Sequence, residues 1–532
     1  MTRDFSPKGG GIDFLGLRWV NLTIVGRDLV PELNNRTSDM GTFFLGAWIP
    51  WKFRQLCERP DYTERNYKAF REKVEVALSL ALREAGADPV ASRARNRVGI
   101  TQKLTLPNTL TFKAASRKEH NSLYAAPNYG PSLAYLGFIM SYRSPAKDGA
   151  KPLEIAIPGD DPDTLEILRH VNAGLQKSKA FPLLASLDSP KFTEKDVSQL
   201  VEAGLDPARY RLPPNSRAKA CFCRKLLPTN AADPGYARTL TTRLLLATLA
   251  RQKPLTADQA RDTWYTGILP NHTRLHLTSP DLAGHAKRWS CFISRQYQRY
   301  ALELFLWCFE TAIKYGSRSV SDVIDHWADR AQNDGASFNR SFYDIMRDCA
   351  GPFLKEDDLK TSLAWNNQVH MDHERFEWVS DPQNDLAIEH GLTMLAGWCW
   401  RMLSRQQDNI CAPLFKLGGA DRMSISWLLE WLNGRRNQPI RDLLKDVFSD
   451  LIFAQHMRIA LARSDGNAQR IRFLMGDSGI EPTISARKDF GELNLPWMPD
   501  RLDTLVALLC DCDVLANQDG RLAPGPAASA VK

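Results

Sequence analysis

The chain has 532 residues, more than one compact core organises, so several domains are expected. Hydrophobic residues make up 43% of it and charged residues 24%, and 14 Trp with 23 Phe supply large surfaces to bury, which excludes general disorder. The net charge of +8 permits an acidic partner such as nucleic acid but does not demand one, so the placement of the charge carries more information than its sum.

The first residues, MTRDFSPKGGGIDFL, mix charge, Pro and Gly where a secretory signal needs an apolar core. The stretch "SDMGTFFLGAWIPWKFRQLC" predicts an aromatic helix that Ser38 or Asp39 can cap. The next helix, "YTERNYKAFREKVEVALSLALREAG", is predicted from a Thr63 cap and from Tyr67, Phe70, Val74, Leu78 and Leu82 at helical spacing, with Gly86 to end it. "TLPNTLTF" reads as a short strand or loop, and residues 146–152 read as a linker. "PLEIAIPGDD" predicts an extended segment and a turn, followed by two short helices, "DDPDTLEILRHVNAGL" and "TEKDVSQLVEAGL".

Residues 211–235 read as irregular because of Pro213, Pro214, Pro228 and Pro234. From Tyr236 to about residue 460 the pattern is helical almost throughout. Its most apolar part, "YALELFLWCFETAIKYG", is interrupted by Glu303 and Glu310, whereas a membrane span needs about 20 mostly apolar residues. The closing "MPDRLDTLVALLCDCDVLANQDGRLAPG" predicts a helix to about Cys512, a strand, an Asp519-Gly520 turn and a second strand, a winged-helix-like end. The expected fold is mainly α and multidomain, with small α/β elements in the first half. The expected segments are 1–147, 148–235 (with a basic loop), 236–425 and 426–532. A soluble, cytoplasmic protein without membrane contact is expected, its ten cysteines reduced rather than paired in a disulfide framework.

Two stretches resemble a family of bacterial proteins from phage-defence gene neighbourhoods. At the N-terminus "FLGLRWVN", "LVPELNNRT" and "FFLGAWIPWKF" are similar to that family's pattern at Leu29, Pro31, Leu33, Asn35, Thr37 and Trp51. "REKVEVAL" and "RVGITQ" continue the likeness. Near the other end, "HMRIALARSDGNAQRIRFLMGDSGI" and "PDRLDTLVALLCDCDVLANQDGRL" resemble its closing segment. Glu32 stands where the family commonly has Gly, and Asp39-Met40 where it commonly has basic residues. The resemblance implies an accessory subunit of an anti-phage system and no particular reaction.

Four candidate sites follow from residue types. "HMDHE" brings His370, Asp372, His373 and Glu374 together, so a divalent metal and nuclease chemistry are one reading and a solvated helix face the other. Neither His-Glu-x-x-His nor His-x-x-Glu-His is present, which excludes the known zinc-peptidase arrangements. "NHTRLH", with His272 and His276, lacks acidic companions. Cys221, Cys223, Cys510 and Cys512 form two Cys-x-Cys pairs that offer a four-thiolate zinc site or, in the competing reading, buried thiols. The fourth site is a basic run: from Arg209 to Ala232 there is no acidic residue, while Arg209, Arg211, Arg217, Lys219, Arg224 and Lys225 accumulate around Tyr210 and Phe222.

Such a run can neutralise phosphates and stack on an unpaired base, or else be a solvated loop or a dock for an acidic protein. "SRARNRVGITQK" adds Arg93, Arg95, Arg97 and Lys103. No phosphate-cradling glycine loop or nucleophile elbow appears, so no cofactor is expected. The C-terminal helix "DRLDTLVALLCDCD" carries four Asp and one Arg, too acidic to lie on phosphate. The expected function is a non-catalytic defence subunit that contacts nucleic acid, DNA favoured over RNA, and other subunits. A metal-dependent nuclease using the His370, Asp372 and His373 cluster is the first alternative, and a structural adaptor is the second.

Overall fold

A computed structural model describes residues 13–57, 63–84, 123–124, 129–143, 154–177, 179, 181–187, 216–330, 337–350, 387–405, 412–462, 471–484, 486, 490 and 498–531. The fold is mainly helical, with three two-stranded antiparallel sheets among the described residues. No helix among them is long and apolar enough to cross a membrane. The described residues form two compact units, one within 1–29 and 258–498 and the other within 30–257 and 499–532. This differs from the four consecutive segments expected from sequence. The chain passes from one unit to the other at Leu29 and Val30, both fully buried, so no Pro- or Gly-rich linker marks that boundary.

The first unit is organised by the helix Pro280–Lys314. Ser279 caps it by accepting from the Leu282 amide at 3.5 Å, Pro280 opens it, and Asp281 and Lys314 sit at the ends that the helix dipole favours. Every residue from Trp289 to Ile313 is buried, polar ones included. The buried carboxylates are matched by arginines. Glu303 accepts from Arg18 Nε at 3.1 Å and from Arg299 Nη1 at 2.9 Å. Glu310 holds Arg472 through two bonds of 2.5 and 2.7 Å.

Arg295 instead donates to backbone carbonyl oxygens of Arg422 and Met423 and to Gln298, and burial pushes its guanidinium down to about 9. Gln296 links the Asn21 amide at 3.1 Å to the Met498 carbonyl at 2.7 Å. The two glutamates that exclude a membrane span in the sequence are therefore interior ion-pair partners. Helix Ala387–Arg405 packs along this central helix, and the π-helical turn Val447–Ala454 brings Phe448 against Phe305 and Phe309. Hairpin Phe473–Gly476 with Gly479–Pro482 adds Phe473, 5.1 Å from Phe309.

The second unit forms around the aromatic helix Met40–Leu56. Asp39 caps it as expected: its carboxylate accepts from the amides of Gly41 at 2.8 Å and Thr42 at 3.3 Å and from the Thr42 hydroxyl at 2.8 Å. Helix Glu64–Glu84 follows, with Tyr67, Phe70 and Val74 buried as its spacing predicts; the side chains of Leu78 and Leu82 lie outside the described residues. Strands Ile139–Arg143 and Glu154–Pro158 pair antiparallel, Ile139 opposite Pro158, so "EIAIP" is extended as expected. Helix Pro162–Leu175 then starts on an Asp161 cap.

The expected irregular stretch 211–235 contains a helix, Arg217–Leu226, because its prolines lie outside that span and Ala218, Phe222 and Leu226 recur at helical spacing. The chain closes with helix Leu502–Asp511 and a hairpin of Leu515–Gln518 with Arg521–Pro524, whose Leu522 also bridges Leu255. The segments "TLPNTLTF" and "TEKDVSQLVEAGL" lie outside the described residues.

Two stability predictions follow from the central helix. Glu310→Gln strands the buried Arg472 charge and is expected to cost about 3–5 kcal/mol, whereas a paired Glu310→Leu/Arg472→Met change recovers most of it. Denaturant midpoints of the three proteins check this. His456 is buried between the Phe14 carbonyl oxygen, 3.2 Å from Nδ1, and the Arg472 amide, which donates to Nε2 at 3.1 Å. Burial pushes it from 6.5 down to about 4, and burial pushes His285 down to about 3. Both are neutral when folded and take a proton when unfolded, so the stability they lend is present above pH 6.5 and is lost as pH falls towards 4. The expected slope is about 1.4 kcal/mol per pH unit for each histidine. A His456→Gln variant in thermal melts across this range is expected to show a shallower slope.

Candidate nucleic-acid interface

Helix Arg217–Leu226 carries most of the basic run that the sequence singles out. Its apolar face, Ala218, Cys221, Phe222 and Leu226, is buried. Phe222 is completely enclosed, 5.5 Å from Phe43, 5.7 Å from Phe44 and stacked on Phe138 at 5.8 Å. No ring face is left for a base. The expectation that Phe222 stacks on nucleic acid gives way to core packing, since a Phe flanked by Ala and Leu at helical spacing is worth more enclosed than exposed.

The cations divide into two sets. Lys219 and Lys225 have only 10% and 11% of their side chains exposed. Lys219 Nζ donates to Asp513 at 2.7 Å. Lys225 Nζ donates to Asp161 at 2.8 Å and to the Leu136 carbonyl at 3.2 Å, and lies 5.2 Å over the Phe138 ring. The second set points outward: Arg217 and Arg224 are 81% and 60% exposed, two turns apart, with exposed Ala220 between them.

Arg224 forks onto Asp163 at 2.5 and 3.0 Å, and Arg217 is 3.7 Å from Glu166. The start of helix Pro162–Leu175 thus supplies three carboxylates to the basic helix. The Arg224 hydrogen bond holds Asp163 below the usual carboxylate range. Burial works to raise Asp161, but the hydrogen bonds from Lys225 and Thr164 together outweigh it and leave Asp161 low as well. Asp161 also caps its own helix, accepting from the Thr164 amide at 3.0 Å. "PGDDPDTLE" announces that cap in the sequence, but the pairing with a helix some sixty residues on has no local signal.

The four cysteines do not converge. The Cys221 sulfur accepts from Arg224 at 3.2 Å on one side of the helix, Cys223 meets Cys512 on another, and Cys510 stands apart from both. Among the described residues no three His, Cys, Asp or Glu side chains come together as metal ligands, so the four-thiolate zinc site is withdrawn. One residue between two cysteines on a helix sends their sulfurs to different faces. Arg209, Arg211, the His370, Asp372 and His373 cluster, and Arg93, Arg95, Arg97 and Lys103 lie outside the described residues.

No family model, curated protein or solved structure matches the chain.

Phe222→Ala is expected to cost about 3–5 kcal/mol as a core truncation. It is expected to change any binding of single-stranded and duplex DNA by the same factor. Thermal melts and parallel titrations with the two DNA forms check both halves.

Proposed function

We propose that this chain is an accessory, non-catalytic subunit of a bacterial anti-phage defence system, one that holds DNA by its phosphates and docks other subunits. The nucleic-acid part is carried by one observation, the outward stripe of Arg217 and Arg224. The helical rise sets them about 10 Å apart along the helix. Arg169, 72% exposed on the neighbouring helix, adds a third guanidinium. Their carboxylate partners lie at the surface too, where an ion pair is worth about 0–1 kcal/mol, so a polyanion can exchange with them. Contacts of this kind position a nucleic acid without reading its bases. The defence setting rests on the likeness of the two terminal stretches to that family.

A second reading, the structural adaptor, is favoured by the internal use of Lys219 and Lys225, which shrinks the cationic footprint of the basic run.

Arg217→Ala/Arg224→Ala and, separately, Asp163→Asn/Glu166→Gln separate the two readings. Binding of a fluorescent single-stranded DNA is measured by anisotropy over a salt series. The arginine variant is expected to flatten the slope of log affinity against log salt by about 1.4, two contacts at about 0.7 each. The carboxylate variant is expected to bind more tightly. Parent-like binding by both variants, at unchanged melting temperatures, overturns the DNA assignment. Loss of a copurifying host protein from the arginine variant alone, with no DNA binding by the parent, replaces it with the adaptor.

A further inference from the structure

Helix Arg217–Leu226 and the closing segment of the same unit meet along two adjacent rungs. Lys219 and Cys223 are one helical turn apart, and Asp513 and Cys512 are consecutive. The first rung is the 2.7 Å ion pair between Lys219 and Asp513. On the second rung the Cys512 thiol meets Cys223. Both cysteines line one pocket of about 320 Å³, alongside Arg224, Arg243, Thr229 and Thr239. Cys512 is buried, while Cys223 is partly exposed. The backbone beneath is held as well: the Asp513 carbonyl accepts from the Ala527 amide at 2.9 Å, and the Val531 carbonyl accepts from Arg243 Nε at 2.9 Å.

We propose that Cys223 is a site of oxidation by hydrogen peroxide and that Cys512 is its resolving thiol, the two closing a disulfide that ties the basic helix to the C-terminal segment. The Cys223 thiolate attacks one peroxide oxygen, the O–O bond breaks, and the departing hydroxide takes a proton to become water. Cys223 is left as a sulfenic acid. The Cys512 sulfur, giving up its proton, attacks the Cys223 sulfur; the S–O bond breaks, the S–S bond forms, and the hydroxyl leaves with that proton as a second water. Two thiols lose two protons and two electrons, and one peroxide gains them to become two waters.

The surroundings select this pair. The Cys512 hydrogen bond first, and then the Arg224 charge, lower the Cys223 thiol against the opposing effect of burial, which favours the reactive thiolate. Burial pushes Cys221 up to about 11 and Cys510 up to about 12, so these neighbours stay protonated. The Cys223 side chain has access to a small oxidant through the pocket, and its partner is already in place. The chemistry runs on the sulfurs of Cys223 and Cys512 and does not depend on the DNA reading; Arg224 borders the pocket as well as the outward stripe.

The test treats the reduced full-length protein with hydrogen peroxide, blocks remaining thiols by alkylation, and maps peptides by mass spectrometry without reduction. The expected product joins the peptides containing Cys223 and Cys512, lighter by two hydrogens, with the alkylated forms of both lost. In Cys512→Ser, dimedone is expected to trap a sulfenic acid at Cys223; in Cys223→Ser, Cys512 is expected to remain alkylatable. Serine replaces sulfur almost isosterically, and the wild-type map stands even if a variant fails to fold. Equal alkylation of Cys223 and Cys512 before and after peroxide overturns the proposal. Linkage of Cys223 to Cys221 or Cys510 in preference to Cys512 overturns it too.

Discussion

A guanidinium or ammonium group that a fold draws out of water must be given oxygen atoms in exchange, and this requirement governs both units. Leaving such a charge buried and unmatched costs several kcal/mol, more than most single contacts return. In the first unit the central helix carries Arg295, Arg299, Glu303 and Glu310 at fully or nearly fully buried positions. Arg299 and Arg472 are met by carboxylates, and Arg295 by carbonyl oxygens at the turn around Met423. These partners come from residues 18, 422, 423 and 472, so the ion pairs and carbonyl contacts together fix which distant segments may surround the helix. Apolar contacts such as Phe305 on Phe448 add most of the buried area but tolerate more than one arrangement.

The second unit applies the same rule to Arg238, whose side chain is 1% exposed. It donates to the carbonyls of Leu226 at 2.8 Å and Pro31 at 2.9 Å and to the Glu32 carboxylate at 2.5 Å. Glu32 has φ 66°, a left-handed conformation that favours glycine. The strain of that backbone is offset here by a carboxylate placed on a buried cation. A glycine would relieve the strain and leave Arg238 with carbonyls alone.

Local chemistry was legible in the sequence, and long-range chemistry was not. The Asp39 cap, the Tyr67–Phe70–Val74 stripe, the extended "EIAIP", the Asp161-capped helix and the final helix with its hairpin follow from neighbours within a few residues, where helix and strand periods act. The helix within 211–235 was hidden because flanking prolines dominate a composition reading, although none falls inside Arg217–Leu226. The basic run looked free because acidic residues are absent from its own twenty-odd positions. Its partners stand at 161, 163, 166 and 513, and no periodicity reports a pair that folding makes. Phe222 follows the same pattern: an aromatic among cations reads as a stacking platform until Phe43, Phe44 and Phe138 arrive from elsewhere.

The division of one helix into inward and outward cations then sets what each face can do. Lys219, Phe222 and Lys225 anchor the helix along one flank, through an ion pair to Asp513, an aromatic cluster and an ion pair to Asp161. Rotation about the helix axis would break all three together, so Arg217 and Arg224 are held outward by the interior rather than by their own surface pairs. A covalent link between Cys223 and Cys512 would join parts that the Lys219–Asp513 rung already aligns. Such a link lowers the entropy of the unfolded chain across a loop of nearly three hundred residues, yet it has little to change in the aim of the arginines. The pocket can therefore respond to oxidants and the outward stripe to polyanions on a single ten-residue helix, with Arg224 bordering both.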